Sequence, residues 1–473
     1  MVKKISLFFL ILGFLALGIA LGIKPAFTEA NDGPALTNPE SAQASSTQRE
    51  ILYTRWIPSV IYADGKTKTR LEAWTDPGAK IKSIKLTSGS VNFGDLNDDG
   101  VNGDRIAGDG IWTYGGYTRS YANYWFGTHV TAGFSLDVES NNGRDGITQY
   151  DTSTLGIVRK LNIKAVKVKR NVWATQRGVF LIDKNGKLLD GKIPLCDIHC
   201  GKGNELVFRK FFEVFKDRFH FLAVMPVTNV YNPTNFSENV PYFVWAKNNI
   251  RNVGMEVFNN TGSFGSKGKL EGIFYHSFGY GAILDHEIGH NWGIYIGDAL
   301  GFSSGSHYNA YCNLVGQMGN MPQLRLEDNG DGTYKATKVW DEQTDHPYTP
   351  LTLYLMGLIP PSEVPPVMAL KNTNYPNFNK IPADQFDVFT IQDIMASNGG
   401  ERQPAYPNTP RKFRMGLIVV TDRKPTQAQF DFFSAVAIYF GSKKKGDYYL
   451  MTFYDATGGR AALNTRLPAV KNK

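Results

Sequence analysis

Apolar positions along this chain change their rhythm three times. Behind Lys3-Lys4 they run unbroken from Ile5 to Ile23, until Lys24-Pro25 interrupt them and Thr28-Glu29-Ala30 offers small residues at the spacing of a cleavage site. That pattern predicts a signal peptide over residues 1–30, or an uncleaved anchor through residues 5–23. On either reading the rest of the chain is exported. Residues 31–50 are rich in Ala, Ser, Thr, Pro and Gln without an apolar period and read as a linker. From residue 51 short alternating runs follow, Ile51–Ile61, Lys66–Trp74, Lys80–Thr87, Ile111–Tyr117 and Thr128–Val138, with turn residues between them. Period-two runs at even spacing predict a β-sandwich over 51–160.

The third rhythm, over 165–465, mixes periods. Val166–Val168 and Gly178–Ile182 read as strands, with a hairpin turn at Asn185-Gly186. Leu206, Lys210, Phe211, Val214 and Phe215 have helical spacing, and Phe219–Pro226 is a continuous run of buried-strand type. Strands at Val253–Phe258 and Leu270–Tyr275 then lead into a helix at about 280–293. Further on, Leu324–Leu326 and Thr333–Trp340 flank the turn Asp328-Asn329-Gly330-Asp331-Gly332, and Pro350 opens a helix that Gly357 and Pro360-Pro361 stop. Strands and one helix fill Lys412 to Phe453. Strands and helices interleaved in this way give an α+β fold.

Composition narrows the picture. A chain of 473 residues with 42% hydrophobic and 13% aromatic content is globular and long enough for two or three domains. The formal charge is +8. Removing residues 1–30 takes away Lys3, Lys4, Lys24 and Glu29, three positive charges and one negative, which leaves +6. No long basic run is present, and the lysines at 443–445 form a short solvated cluster, so no nucleic-acid partner is indicated. Three cysteines make no dense disulfide framework. Cys196–Cys200 and Cys200–Cys312 are both open as a bridge in an exported chain, and His199 between the first two makes a second metal site the lesser reading.

One segment carries chemistry. In His286-Glu287-Ile288-Gly289-His290 two imidazoles stand one helical turn apart, with a carboxylate beside the first. Such a pair can grip one Zn²⁺ while the glutamate takes a proton from metal-activated water. Leu284, Ile288 and Trp292 form an apolar stripe that leaves the histidines on the opposite face. A catalytic zinc needs a third protein ligand. His307, in the polar loop Gly305-Ser306-His307-Tyr308, is the first candidate and Asp298 the alternative; Glu342, Asp345 and His276 stay open.

The segment resembles the active-site motif of exported bacterial zincin metallopeptidases. His-Glu-x-x-His-x-x-Gly, ending at Gly293, is similar to the start of the metzincin motif, although Ile296 stands where that family places its third ligand. The resemblance implies a zincin-like metallopeptidase domain over 165–465 with an active-site helix. It also implies a methionine turn below the metal, for which Met318 and Met356 are candidates. Within the alternating runs of 51–160, Asp95-Leu96-Asn97-Asp98-Asp99-Gly100 with Ala107-Gly108-Asp109-Gly110 resembles a signature of immunoglobulin-like modules in exported bacterial proteins. Oxygens at 95, 97 and 99 make Ca²⁺ a second candidate ion, but Ile106 falls where an EF-hand needs glutamate. The expected function is a secreted or surface-tethered zinc endopeptidase acting on extracellular protein or peptide, with Glu287 as general base and Tyr295, Tyr308 or Tyr311 as an open choice of oxyanion stabiliser. The alternative is a non-catalytic surface protein that binds protein or glycan and keeps zinc as a structural or vestigial ion.

Overall fold

The sequence rhythm becomes paired strands in Ile51–Ile57 (β1), where Thr54 and Trp56 are buried between half-buried neighbours, and Thr69–Thr75 (β2), which pairs antiparallel with it. The computed structural model describes residues 50–120, 128–141, 147–184, 188, 205–227, 242–275, 284–293, 295–340, 346–444 and 451–469. Within the first part lie also Ile81–Ser88 (β3), Val91–Leu96 (β4), Ile111–Tyr117 (β5), Ser135–Ser140 (β6) and Ile147–Asp151 (β7). They form two antiparallel sheets, β1-β2-β5 and β4-β3-β6-β7. An aromatic cluster joins the sheets. Trp56 of β1 meets Phe134 at 5.1 Å, and Phe93 of β4 meets Tyr117 of β5 at 5.8 Å. Edge and tilted contacts of this kind add to the area they bury. Trp56 satisfies its indole N–H by donating to the Ser153 carbonyl at 2.9 Å.

The largest sheet of the second part is mixed, and smaller two- and three-stranded sheets accompany it. In chain order its strands and their partners are Val166–Lys169 (β8), Val172–Ala174 (β9), Val179–Ile182 (β10), helix Glu205–Phe212 (α1), Phe221–Pro226 (β11), Tyr242–Trp245 (β12), Gly272–Tyr275 (β13), helices Leu284–Gly289 (α2) and Pro350–Leu355 (α3), Lys412–Thr421 (β14) and helix Gln427–Phe440 (α4). The sheet order is β8-β9-β10-β14-β11-β13-β12. Its four central strands are parallel, and β12 closes one edge antiparallel to β13. Parallel strands are covered on both faces, which is why β11 and the stretch Met415–Val420 of β14 read as unbroken apolar runs. Phe208 and Phe211 of α1 cover one face with Leu222 and Val224. Phe430 and Phe433 of α4 pack on Phe180 from the other. Trp292, just past α2, lies against Phe221 and Phe413 at 6.2 and 5.5 Å, so the sheet seats the histidine segment.

The fold is α+β, with two compact units. Of the described residues, one takes in those from 50 to 120 and from 131 to 155, the other those from 128 to 130 and from 156 onward. The strand rhythm alone extends the first unit to 160. His129 belongs to the second, where it stands edge-on to Phe432 of α4 at 5.5 Å. Asp431 of α4 fixes the start of the second unit by accepting from the main-chain N–H groups of Leu161, Asn162 and Ile163 at 2.9, 3.1 and 2.8 Å.

Two strand expectations change. Val253–Phe258 is not a strand: only Phe258–Asn259 pairs, with Lys247–Asn248. Asn252 and Gly254 hold positive φ, 61° and 80°, and a Cβ at Gly254 would collide with the Tyr295 carbonyl, so close approach overrides extension. The edge strand β12 was not expected, because four apolar and aromatic residues without alternation carry no period. Among the described residues no helix is long and apolar enough to cross a membrane. Residues 5–23 and 31–49, Asn185-Gly186, Cys196, His199, Cys200, His276, Glu342, Asp345 and Lys445 lie outside the described residues. Cys312 is a free, buried thiol.

Candidate metal centre

Helix α2 is short, and the chain tightens into a 3₁₀ turn over His290–Trp292 before Gly293 ends it at φ 60°. Every residue from Leu284 to Trp292 is buried. The i, i+4 spacing brings His286 Nε2 and His290 Nε2 to 3.2 Å. A two-stranded ribbon, Ser303–Ser304 with His307–Tyr308, then turns at Gly305 (φ 57°) and returns His307 to the same point. His307 Nε2 lies 3.1 Å from His286 Nε2. The rings of His286 and His307 stack at 5.1 Å, and the His290 ring stands nearly perpendicular to both at 4.8 Å.

These distances suit a metal. Zn–N bonds of about 2.0–2.1 Å at tetrahedral angles require ligand nitrogens about 3.3–3.4 Å apart. The tautomer agrees. His286 Nδ1 faces the main-chain carbonyl of Gln317, which can only accept, so the proton sits on Nδ1 and the Nε2 lone pair points into the centre. Among the described residues no further carboxylate, thiol or imidazole joins the three histidines. The site also holds buried polar atoms without partners in the described structure, Glu287 Oε2 and His290 Nδ1. Unpaired polar atoms of this kind are uncommon in a fold and mark a place meant for something else.

Burial sets the charge states. It pulls His286 down to about 4, against a smaller upward pull from the Gln317 carbonyl. It lowers His307 to about 3, helped by His286, and takes His290 well below its ordinary value, with His286 and His307 adding to the effect. All three imidazoles are therefore neutral at pH 7, the form that binds metal. Glu287 is pushed up to about 8 by desolvation. A nearby dication would reverse that shift, since opposite charge favours the carboxylate.

Of the residues read as site candidates, His286, His290 and His307 come together with Glu287 beside them. Asp298 does not join. It lies in the 3₁₀ turn Tyr295–Leu300 and accepts a hydrogen bond from Ser303 Oγ at 2.5 Å. Ile296 is a core residue, 1% exposed. Met318 is fully buried directly against α2, where a Cβ on Gly289 would strike its sulfur; Met356 instead caps the end of α3. The Tyr308 hydroxyl is spent on Thr352 Oγ1 at 3.0 Å, the Tyr311 ring lies under Lys338 Nζ at 5.1 Å, and Tyr295 packs on Trp245 at 6.3 Å. Tyr308 is thus bound elsewhere, and no contact singles out either of the others.

Three residues at the site were not found from sequence. Gln317 orients His286, Tyr348 donates to the Asp285 carbonyl, and Trp245 of β12 donates its indole N–H to the His290 carbonyl at 2.9 Å. Only Gln317 had a signal, its place next to Met318.

In the first unit the carboxylates that gather are those of Asp98, Asp104 and Asp109, a different set from the oxygens of Asp95, Asn97 and Asp99 read from the sequence. Asp95 pairs across to Lys85 within the sheet. Asp98 accepts from Gly108, Asp109 and Gly110 N–H, and Asp104 from Gly100 and Arg105 N–H, so main-chain donors already occupy these carboxylates. That is a self-capped turn. Comparison of the chain with protein-family models, with curated proteins and with solved structures returned no match, so the site is read from its own geometry.

Proposed function

We propose that the chain is a zinc-dependent endopeptidase, secreted or tethered at the cell surface. The observation that carries this reading is the convergence of three imidazole nitrogens beside the buried carboxyl group of Glu287, whose Oε2 has no partner among the described residues. Three protein ligands leave a coordination position open, as hydrolytic sites require, whereas structural zinc sites are closed by four. Zinc bound there supplies Lewis acidity to a carbonyl and makes a water more acidic. With a dication beside it Glu287 would be the carboxylate and could carry a proton. Its Oε2 accepts one from the attacking water and returns it to the amine that leaves. A structural site has no use for such a group.

Peptide is the favoured substrate because β12 is a sheet edge tied to the metal segment through Trp245. An extended chain pairing with that edge would run past the histidines, in the manner of strand addition. On this reading the second unit is a zincin-like domain, with Met318 as the methionine below the metal. The first is an immunoglobulin-like sandwich, a reading supported by the aromatic contacts between its two sheets.

The test is cleavage of casein or a peptide library by the purified protein, abolished by a chelator and restored by zinc. His286→Ala with His290→Ala should lose both zinc and cleavage. A wild-type protein that holds zinc yet cleaves no protein would return the chain to the non-catalytic, binding-protein reading.

A further inference from the structure

The loop Gly316–Asn320 touches each part of the metal centre. The Gln317 carbonyl meets His286 Nδ1, the Met318 sulfur lies against Gly289, and the Met318 carbonyl accepts from Tyr308 N–H at 2.9 Å, next to His307. Asn320 N–H donates back to the Tyr308 carbonyl at 2.8 Å. What fixes this loop is less obvious. Its Gln317 side chain is 1% exposed and, among the described residues, makes a single hydrogen bond, from Nε2 to the main-chain carbonyl of His346 at 2.7 Å. That partner can only accept, so the NH₂ group must face it. Gln317 Oε1 is then left buried, with no partner among the described residues.

A buried amide with one orphaned oxygen is a poor way to fill a core, where leucine or methionine would serve without loss. What the amide supplies instead is the hydrogen bond that it does make. The acceptor belongs to the segment 346–349, which also braces α2. Tyr348 donates its hydroxyl to the Asp285 carbonyl, and a Cβ on Gly289 would come within 3.1 Å of the Tyr348 ring. The Pro347 carbonyl and Thr349 leave Gly316 no room for a side chain, the carbonyl standing 2.7 Å from where a Cβ would lie. One segment therefore holds the helix that carries His286 and His290 and, through Gln317, the carbonyl that orients His286.

We infer that Gln317 is a positioning residue for the metal: its side-chain amide, bound to the His346 carbonyl, locks its own main-chain carbonyl against His286 Nδ1 and so keeps the His286 Nε2 lone pair aimed at the centre. This inference rests on the reading of the three histidines as a metal site. It goes beyond that reading by assigning their preorganisation to a residue that touches no metal. Groups that fix a ligating histidine from behind are typically worth 10–100-fold in metal affinity.

The experiment compares wild type, Gln317→Met and Thr465→Val in the full-length protein. Thr465 Oγ1 makes an equally buried hydrogen bond, to the Ala437 carbonyl, with no link to the histidines. Zinc affinity is measured by competition with a chelating dye, and the tautomer of His286 in the zinc-free protein by ¹⁵N-edited NMR of labelled imidazoles. Wild type should carry the His286 proton on Nδ1. Gln317→Met should bind zinc about 10–100-fold more weakly and show mixed tautomers, while Thr465→Val keeps both properties. Gln317→Met with wild-type affinity and tautomer overturns the inference, as does an equal loss in Thr465→Val. If Gln317→Met does not fold, wild type still decides: a zinc-free His286 protonated on Nε2 overturns it. A wild-type protein that binds no zinc overturns the metal reading itself, which is a different result from wild-type binding left intact by Gln317→Met.

Discussion

Glu287→Gln should do two opposite things, and both follow from one buried carboxyl group. Glu287 is 3% exposed and desolvation raises it from its ordinary 4.5 to about 8. Between those two values the folded zinc-free protein holds a proton that the unfolded chain has released. Folding then takes up a proton, and stability falls as pH rises through that window. At ~1.4 kcal/mol per pH unit the carboxyl costs roughly 3 kcal/mol at pH 7 and roughly 5 kcal/mol above pH 8. Glutamine fills nearly the same space and does not titrate. Zinc-free Glu287→Gln should therefore match wild type at pH 4.5 and exceed it increasingly towards pH 8. Urea unfolding of both proteins at pH 5, 7 and 8, followed by tryptophan fluorescence, reads this directly. Adding zinc should shrink the gap, because a dication favours the carboxylate. Hydrolysis should move the other way. The amide cannot accept a proton, so activity falls by about 10²–10⁴-fold while zinc is retained. A stability difference independent of pH would refute the burial argument. Equal hydrolysis by the two proteins would refute the role of Glu287 as base.

Further outcomes follow from the same geometry. Zinc-free Glu287→Gln, which lacks the opposing carboxyl, should lose stability as pH falls from 6.5 through about 4 and 3, because His286 and His307 are held neutral in the fold and charge on unfolding; its urea midpoint between pH 7 and 4 measures this, and a flat profile in that variant refutes it. His307→Ala should abolish stoichiometric zinc, whereas Asp298→Asn should keep it, since Asp298 is held by Ser303; metal analysis of the folded variants separates the two third-ligand readings. Asp431→Ala strands three main-chain donors at 161–163, which should destabilise the protein on the order of 3 kcal/mol and open that segment to limited proteolysis; equal resistance to protease in both proteins would show that this carboxylate does not pin the segment.

What could be read from the sequence, and what could not, divides by the range of the interactions concerned. The strands β1, β2, β3 and β5 were legible because apolar and polar positions change within a few residues, and β10 and β11 because short apolar runs mark buried strands; so was the α+β plan. The pair His286 and His290 was legible because helix geometry converts a spacing of four into a shared face. His307 needed a different argument. Its Gly-Ser loop allowed a return to α2 but did not require it, and Asp298 stayed open until the ribbon at Ser303–Tyr308 placed one and not the other. The edge strand β12 left no trace, since its pairing partner β13 lies beyond an intervening segment and its four residues show no period. Gln317 was harder still. Its role is carried by a main-chain carbonyl, which every residue possesses, and by an amide that reaches a segment 29 positions away. A motif records the atoms that touch a metal. The groups that aim those atoms belong to the packing around them, and here that packing comes from residues 316–320 and 346–349, whose apolar and polar pattern is that of ordinary loop.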